Sequence, residues 1–182
     1  EFCREIVEKT VSELGGLNIL VNNAAEQHDW DDVTQIPDEQ IERTFRTNIF
    51  SHFYTVKHAL AHMKEGDSII ETSSINAFKG NDTLIDYTAT KGAIQGFMRS
   101  IAMSLVGRGI RVNAVAPGPV WTPLIPASMD KEQVESFGGQ VPMKRAGQPS
   151  EMGPAYVYLA SEESSYMNGQ TIHLNGGVIL NT

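Results

Sequence analysis

The sequence predicts a single α/β domain built on a parallel sheet with helices on both faces. Two observations predict it. Short apolar runs alternate with longer amphipathic stretches throughout the 182 residues, and small polar or turn motifs fall directly after the apolar runs. Alternating strands and helices join by right-handed crossovers, so the strands lie parallel and are buried on both sides. A chain of this length can enclose a sizeable core, and no internal repeat, linker or low-complexity segment divides residues 1–182.

Residues 1–14 read as a helix, with Phe2, Ile6, Val7, Val11 and Leu14 on one face and Gly15 as its stop. Leu17 to Val21 is a short, mostly apolar run suited to a buried parallel strand. Glu26 to Ile36 reads as a loop. Pro37 opens a helix whose first turn holds Asp38 and Glu39, complementing the dipole, and the pattern runs to about Lys64 before Gly66 ends it. Ser68 to Thr72 and Ile110 to Val115 are the next strands, with a helix around Tyr87 between them. Gln133 to Gln140 is a loop or short helical insertion. Ser150 then caps a helix with Glu151 in its first turn, Ala160 ends that helix, and Thr171 to Leu174 forms a last strand before Gly176 and Gly177.

With 41% hydrophobic and 20% charged residues the chain is globular in composition. A formal net charge of -8 and the lack of clustered Lys and Arg argue against a nucleic-acid surface. No apolar run approaches the roughly 20 residues that span a bilayer, and no basic segment precedes an apolar stretch as in a signal peptide. Cys3 is the only cysteine, has no partner for an intramolecular disulfide and reads as a core thiol, in agreement with a reducing compartment. The expectation is a cytoplasmic protein with neither membrane nor nucleic acid as partner.

The chemistry is concentrated around Tyr87 and Lys91, four residues apart on a predicted helix and therefore on one face. A free phenol has a pKa near ~10, and a neighbouring cation stabilises the phenolate. Tyr87 could thus exchange a proton with an alcohol or carbonyl while Ser74, thirteen residues upstream, holds the same oxygen. Any amphipathic helix produces such a pair by chance, so a packed aromatic beside a solvated charge is the plain alternative, and Ser74 at a strand end could simply satisfy backbone groups. His28, His52, His58, His62 and His173 are scattered, and His58 and His62 lack the glutamate of a His-Glu-x-x-His pair. Asp29, Asp31 and Asp32 have no glycine-turn calcium pattern. Metal is not predicted.

Further motifs accompany this pair: Asn22-Asn23-Ala24-Ala25 closes an apolar run, Asn48 follows an amphipathic segment, and Asn113-Ala114-Val115-Ala116-Pro117-Gly118 closes another run. Together these resemble the short-chain dehydrogenase/reductase family from about Leu17 to Gly177. Arg46-Thr47-Asn48-Ile49-Phe50 and Trp121-Thr122-Pro123-Leu124-Ile125-Pro126-Ala127 are similar to its bacterial glucose and general stress dehydrogenases. The resemblance implies a Rossmann-like doubly wound sheet and NAD or NADP as cofactor. It further implies hydride transfer to or from a small alcohol, sugar or ketone.

By that resemblance Asn48, Ser74, Tyr87 and Lys91 are catalytic, and Asn23, Ala24, Tyr87, Lys91, Val120 and Thr122 contact the cofactor. Lys91 would hold the nicotinamide ribose and keep Tyr87 acidic. Asn48 would anchor a water, or only bridge an irregularity in its helix. Asn22 and Asn23 would brace the central strands, line the adenosine side, or both. Substrate identity would lie in Gln27 to Ile36, Asn76 to Thr83 and Pro123 to Val141, the last including a lid.

Two departures stand out. Ala25 replaces the usual glycine, adding a methyl group near the cofactor, and no Gly-x-x-x-Gly-x-Gly pyrophosphate turn occurs in the chain. The expectation is therefore an N-terminally truncated domain, and the competing reading is a remnant that folds or associates without binding dinucleotide, its first strand offering an open edge. The family also implies a homo-oligomer, dimer or tetramer. Ile94, Phe97, Met98, Ile101 and Leu105 would form its seam or else face their own sheet.

Overall fold

The computed structural model describes residues 1–128 and 131–180. Helix α1 (Phe2–Leu14) ends at Gly15, whose φ of 80° is the left-handed conformation that stops a helix at low cost for glycine. Strand β1 (Ile19–Asn22) follows. After a loop come α2 (Asp38–Phe45) and α3 (Ser51–Ala59), then β2 (Ser68–Thr72), α4 (Asn76–Lys79), α5 (Ile85–Leu105) and β3 (Arg111–Pro117). Two short helices, α6 (Leu124–Ser128) and α7 (Lys131–Ser136), precede α8 (Pro149–Ala160) and β4 (Thr171–Leu174).

The four strands form one sheet in the order β1-β2-β3-β4, and every neighbouring pair is parallel, as the alternation predicts. Asn22 lies opposite Glu71, Glu71 opposite Ala114, and Val115 opposite Ile172. Side chains alternate between faces with the strand period of two. Ile69, Val112 and Ala114 pack with Val56, Ile94 and Met98 from α3 and α5, whereas Ile70, Val115 and Ile172 pack with Ala155 and Leu159 from α8. Helices thus cover both faces, which explains why β2 and the central residues of β3 are buried throughout.

Four local expectations are corrected. The helix expected over 37–64 is two helices joined by a turn of π-helix at Arg46–Phe50, whose widened backbone carries Asn48 inward. The strand expected from Leu17 begins at Ile19, and the one expected from Ile110 begins at Arg111 and runs on to Pro117. The cap of α8 is Gln148, not Ser150: Pro149 supplies the first helical residue, and the Glu151 carboxylate accepts from Gln148 N at 2.8 Å. Of the two readings of the apolar residues on α5, the structure gives the inward one: Ile94, Phe97, Met98 and Leu105 are buried in their own core and Ile101 packs against it. On α3, by contrast, Phe53 and Tyr54 are exposed.

Candidate active site

The carboxyl ends of β1, β2 and β3 open on one cleft of about 1400 Å³. Open α/β sheets place their ligand sites at that edge because the crossovers leave a crevice there. Past β2 the backbone continues to pair with β3: Ser73 N donates to Val115 O at 2.8 Å and Ile75 N donates to Pro117 O at 3.0 Å. Ser74 is therefore held between two anchored residues. Its hydroxyl accepts from Asn76 N at 3.2 Å and hydrogen-bonds the Tyr87 phenol.

Tyr87 and Lys91 share a face of α5, as their spacing predicts, and both line the cleft with Ser74. Burial pushes the Tyr87 phenol above its ordinary value, and the Ser74 hydrogen bond pulls the other way. Lys91 is 2% exposed, its Nζ donating to Thr72 O at 2.8 Å. Burial lowers it to about 8, opposed by the charge of Glu71. The expected lowering of Tyr87 by Lys91 is not what this geometry gives, because the ammonium stands over the ring, 5.4 Å from its centroid, and desolvation dominates.

Asn48 is fully buried and clamps the loop after β1. Its Oδ1 accepts from Glu26 N at 2.8 Å, and its Nδ2 donates to Glu26 O at 2.9 Å and to Thr90 Oγ1 at 3.1 Å. Thr90 Oγ1 in turn donates to Tyr87 O at 2.6 Å, so the clamp reaches the backbone of the tyrosine. Asn23, Ala24 and Ala25 line the cleft beside Val120 and Thr122. Asn22 does not: it is buried, and its Nδ2 donates to Glu71 Oε1 at 3.0 Å. The two asparagines thus divide the structural and the cleft-lining roles. All three expected substrate segments reach the wall, through Gln27 and Asp29, Asn81 and Thr83, and Leu124 and Phe137.

Three buried arrangements escaped the sequence reading. Thr44 Oγ1 donates to Asp86 Oδ2 at 2.6 Å, tying α2 to the first turn of α5 just before Tyr87. The Tyr156 hydroxyl meets Thr72 Oγ1 at 2.8 Å across the other sheet face. Glu71 and His52 pair inside the core. Only the last had a visible signal, a glutamate in the middle of a strand buried on both faces.

The comparisons with known proteins agree with this architecture. A family described as enoyl-(acyl carrier protein) reductase matches residues 1–179. Glucose and ribitol dehydrogenase of Daucus carota is 58% identical over 179 residues, covering 98% of this chain and 62% of that protein. The chloroplastic NADPH-dependent aldehyde reductase 1 of Arabidopsis thaliana is 56% identical over 182 residues, covering 100% of this chain and 63% of that protein. A short-chain dehydrogenase from Burkholderia cenocepacia J2315, solved in complex with NADP, superimposes with a TM-score of 0.89 at 27% identity, covering 96% of this chain and 71% of the other. The chain belongs to the short-chain dehydrogenase/reductase family, in its glucose dehydrogenase branch. It spans about three fifths of the length of these curated relatives. No described helix is long and apolar enough to cross a membrane.

Proposed function

We propose that the whole protein is an NAD(P)-dependent oxidoreductase acting on the CH–OH group of a small alcohol or sugar, or on the corresponding carbonyl. The observation that carries this reading is the convergence of the Tyr87 phenol, the Ser74 hydroxyl and the buried Lys91 ammonium at the floor of one cleft. The names of the relatives support both directions, one being a sugar and polyol dehydrogenase and the other an aldehyde reductase.

The residues present fit the nicotinamide end of such a cofactor. An ammonium has three donors, and Thr72 O takes one of those on Lys91, which suits it to a pair of ribose hydroxyls. Val120 and Thr122 would flank the ring, and Asn23 and Ala24 the adenosine side. When bound, the cofactor supplies hydride transfer. Tyr87 gives its proton to a carbonyl oxygen, or takes one from a hydroxyl, while Ser74 holds that oxygen in place. A phenol is protonated at neutral pH and burial raises its pKa further, so Tyr87 begins as the acid there. Asn48 acts by fixing the loop and the α5 backbone around the reacting group. We also propose a cytoplasmic homo-oligomer, supported by the exposed aromatic side chains of α3.

A nucleotide-linked assay of the whole protein against polyols, aldoses and aldehydes tests this. Turnover with NAD(H) or NADP(H), together with micromolar nucleotide binding by calorimetry, is the expected result. No binding at millimolar nucleotide overturns it and favours a non-catalytic fold.

A further inference from the structure

Glu71 occupies a position where a strand buried on both faces ordinarily carries an apolar side chain. It is 0% exposed and sits on the sheet face covered by α3 and α5. Two groups hold its carboxylate. Asn22 Nδ2 donates to Oε1, and that amide is itself oriented by Thr55 Oγ1, which donates to Asn22 Oδ1 at 2.7 Å. His52 Nδ1 meets the second oxygen.

The charge on this pair follows from its hydrogen bonds. His52 is 2% exposed, and its Nε2 is buried with no partner among the described residues. An imidazolium would leave a buried N–H without an acceptor, a cost of about 1–3 kcal/mol or more for a charged donor. The neutral ring, with Nδ1–H donating to Glu71, leaves only an acceptor unmet. The pair then carries one negative charge.

A buried negative charge requires a compensating one nearby. From α3 the titratable group that meets Glu71 is His52, β1 offers the amide of Asn22, and β3 places Ala114 opposite it. From α5 comes Lys91, with Tyr87 beyond it, and the Lys91 ammonium is anchored on the carbonyl of Thr72, the residue after Glu71.

We propose that Glu71 is the counter-ion of Lys91, a positioning residue that keeps this lysine an ammonium beneath the cleft, while neutral His52 orients the carboxylate. The inference deepens the functional reading above and rests on it for the role of Lys91. It also accords with Glu71 being the charge that opposes the desolvation of Lys91.

Carbon-13 NMR of lysine labelled at Cε, in the whole protein without nucleotide, tests the pairing without any assay of turnover. Lys91 should titrate near 8 in the wild type and at least about one pH unit lower in Glu71→Gln, which removes the charge and keeps the shape. Glu71→Asp, which keeps the charge, should restore most of the difference. An identical Lys91 titration in Glu71→Gln and wild type overturns the proposal. Should Glu71→Gln not fold, nitrogen-15 shifts of His52 in the wild type decide: a neutral ring at neutral pH supports the proposal, and a doubly protonated ring overturns it, because the pair would then carry no net charge.

In the active protein, the alkaline decline of kcat/KM for carbonyl reduction should move to lower pH in Glu71→Gln by the same interval as the Lys91 titration. An unmoved decline beside a shifted titration overturns the catalytic consequence. A wild type without oxidoreductase activity instead refutes the functional reading and leaves the NMR result to judge the ion pair.

Discussion

Lys91 Nζ lies 5.4 Å from the centroid of the Tyr87 ring while donating to Thr72 O at 2.8 Å. The cation therefore sits over the ring and is tethered to the strand, where desolvation outweighs the opposing charge of Glu71. An unfolded lysine titrates near 10.5 and this folded one near 8. Between those values the unfolded chain binds the extra proton, so the contribution of Lys91 to stability rises with pH across that window and is constant below it.

Compared with Lys91→Met, the wild type should therefore gain stability between pH 8 and 10.5, by on the order of 3 kcal/mol. Urea unfolding of both proteins across this range checks it. Parallel stability curves would mean that Lys91 titrates as an ordinary exposed lysine.

Ser74 supplies the hydrogen bond that opposes the effect of burial on the Tyr87 phenol. Ser74→Ala leaves burial unopposed, so the phenol should ionise at higher pH and the rise of alcohol oxidation with pH should shift to the alkaline side. At neutral pH kcat should fall roughly tenfold or more. A reduced kcat with an unmoved pH profile would restrict Ser74 to holding the substrate oxygen.

Asn48 satisfies both backbone groups of Glu26 and donates to Thr90. Asn48→Ala orphans these groups in a part-buried site and should cost about 2 kcal/mol in chemical denaturation. Because the loop it clamps carries Asn23 to Gln27 along the cleft wall, nucleotide affinity should weaken with it. Full stability in the variant would mean that water replaces the side chain without loss.

Thr44 donates to the buried carboxylate of Asp86, next to Tyr87. Thr44→Val keeps the volume and removes the donor, at an expected cost of about 1–3 kcal/mol, and Thr44→Ser should recover most of it. Equal losses in both variants would show that the methyl group, not the hydroxyl, matters.

How much of this was legible depended on the range of the interaction. The pairing of Tyr87 with Lys91 is a local helical period, and the placement of Ser74 follows from ending a buried strand, so both could be read along the chain. The partners of the buried Glu71 could not, because they are His52 on α3 and Asn22 on β1, each far from it in sequence. An irregularity at Asn48 was implied by the resemblance, but its form, a π turn whose asparagine bonds both backbone groups of Glu26, was not, because Glu26 is far from it in sequence. Periodicity likewise marks the apolar face of α5 without saying whether its own sheet or a second subunit covers it, and Ile94 and Met98 settle on the former.

The central claim is that Tyr87 moves the proton at the substrate oxygen. Single-turnover reduction of an aldehyde by the whole protein, comparing wild type with Tyr87→Phe under saturating nucleotide, tests it most directly. The account predicts a loss of at least ~100-fold in rate with nucleotide binding retained; a variant that turns over at the wild-type rate would contradict it.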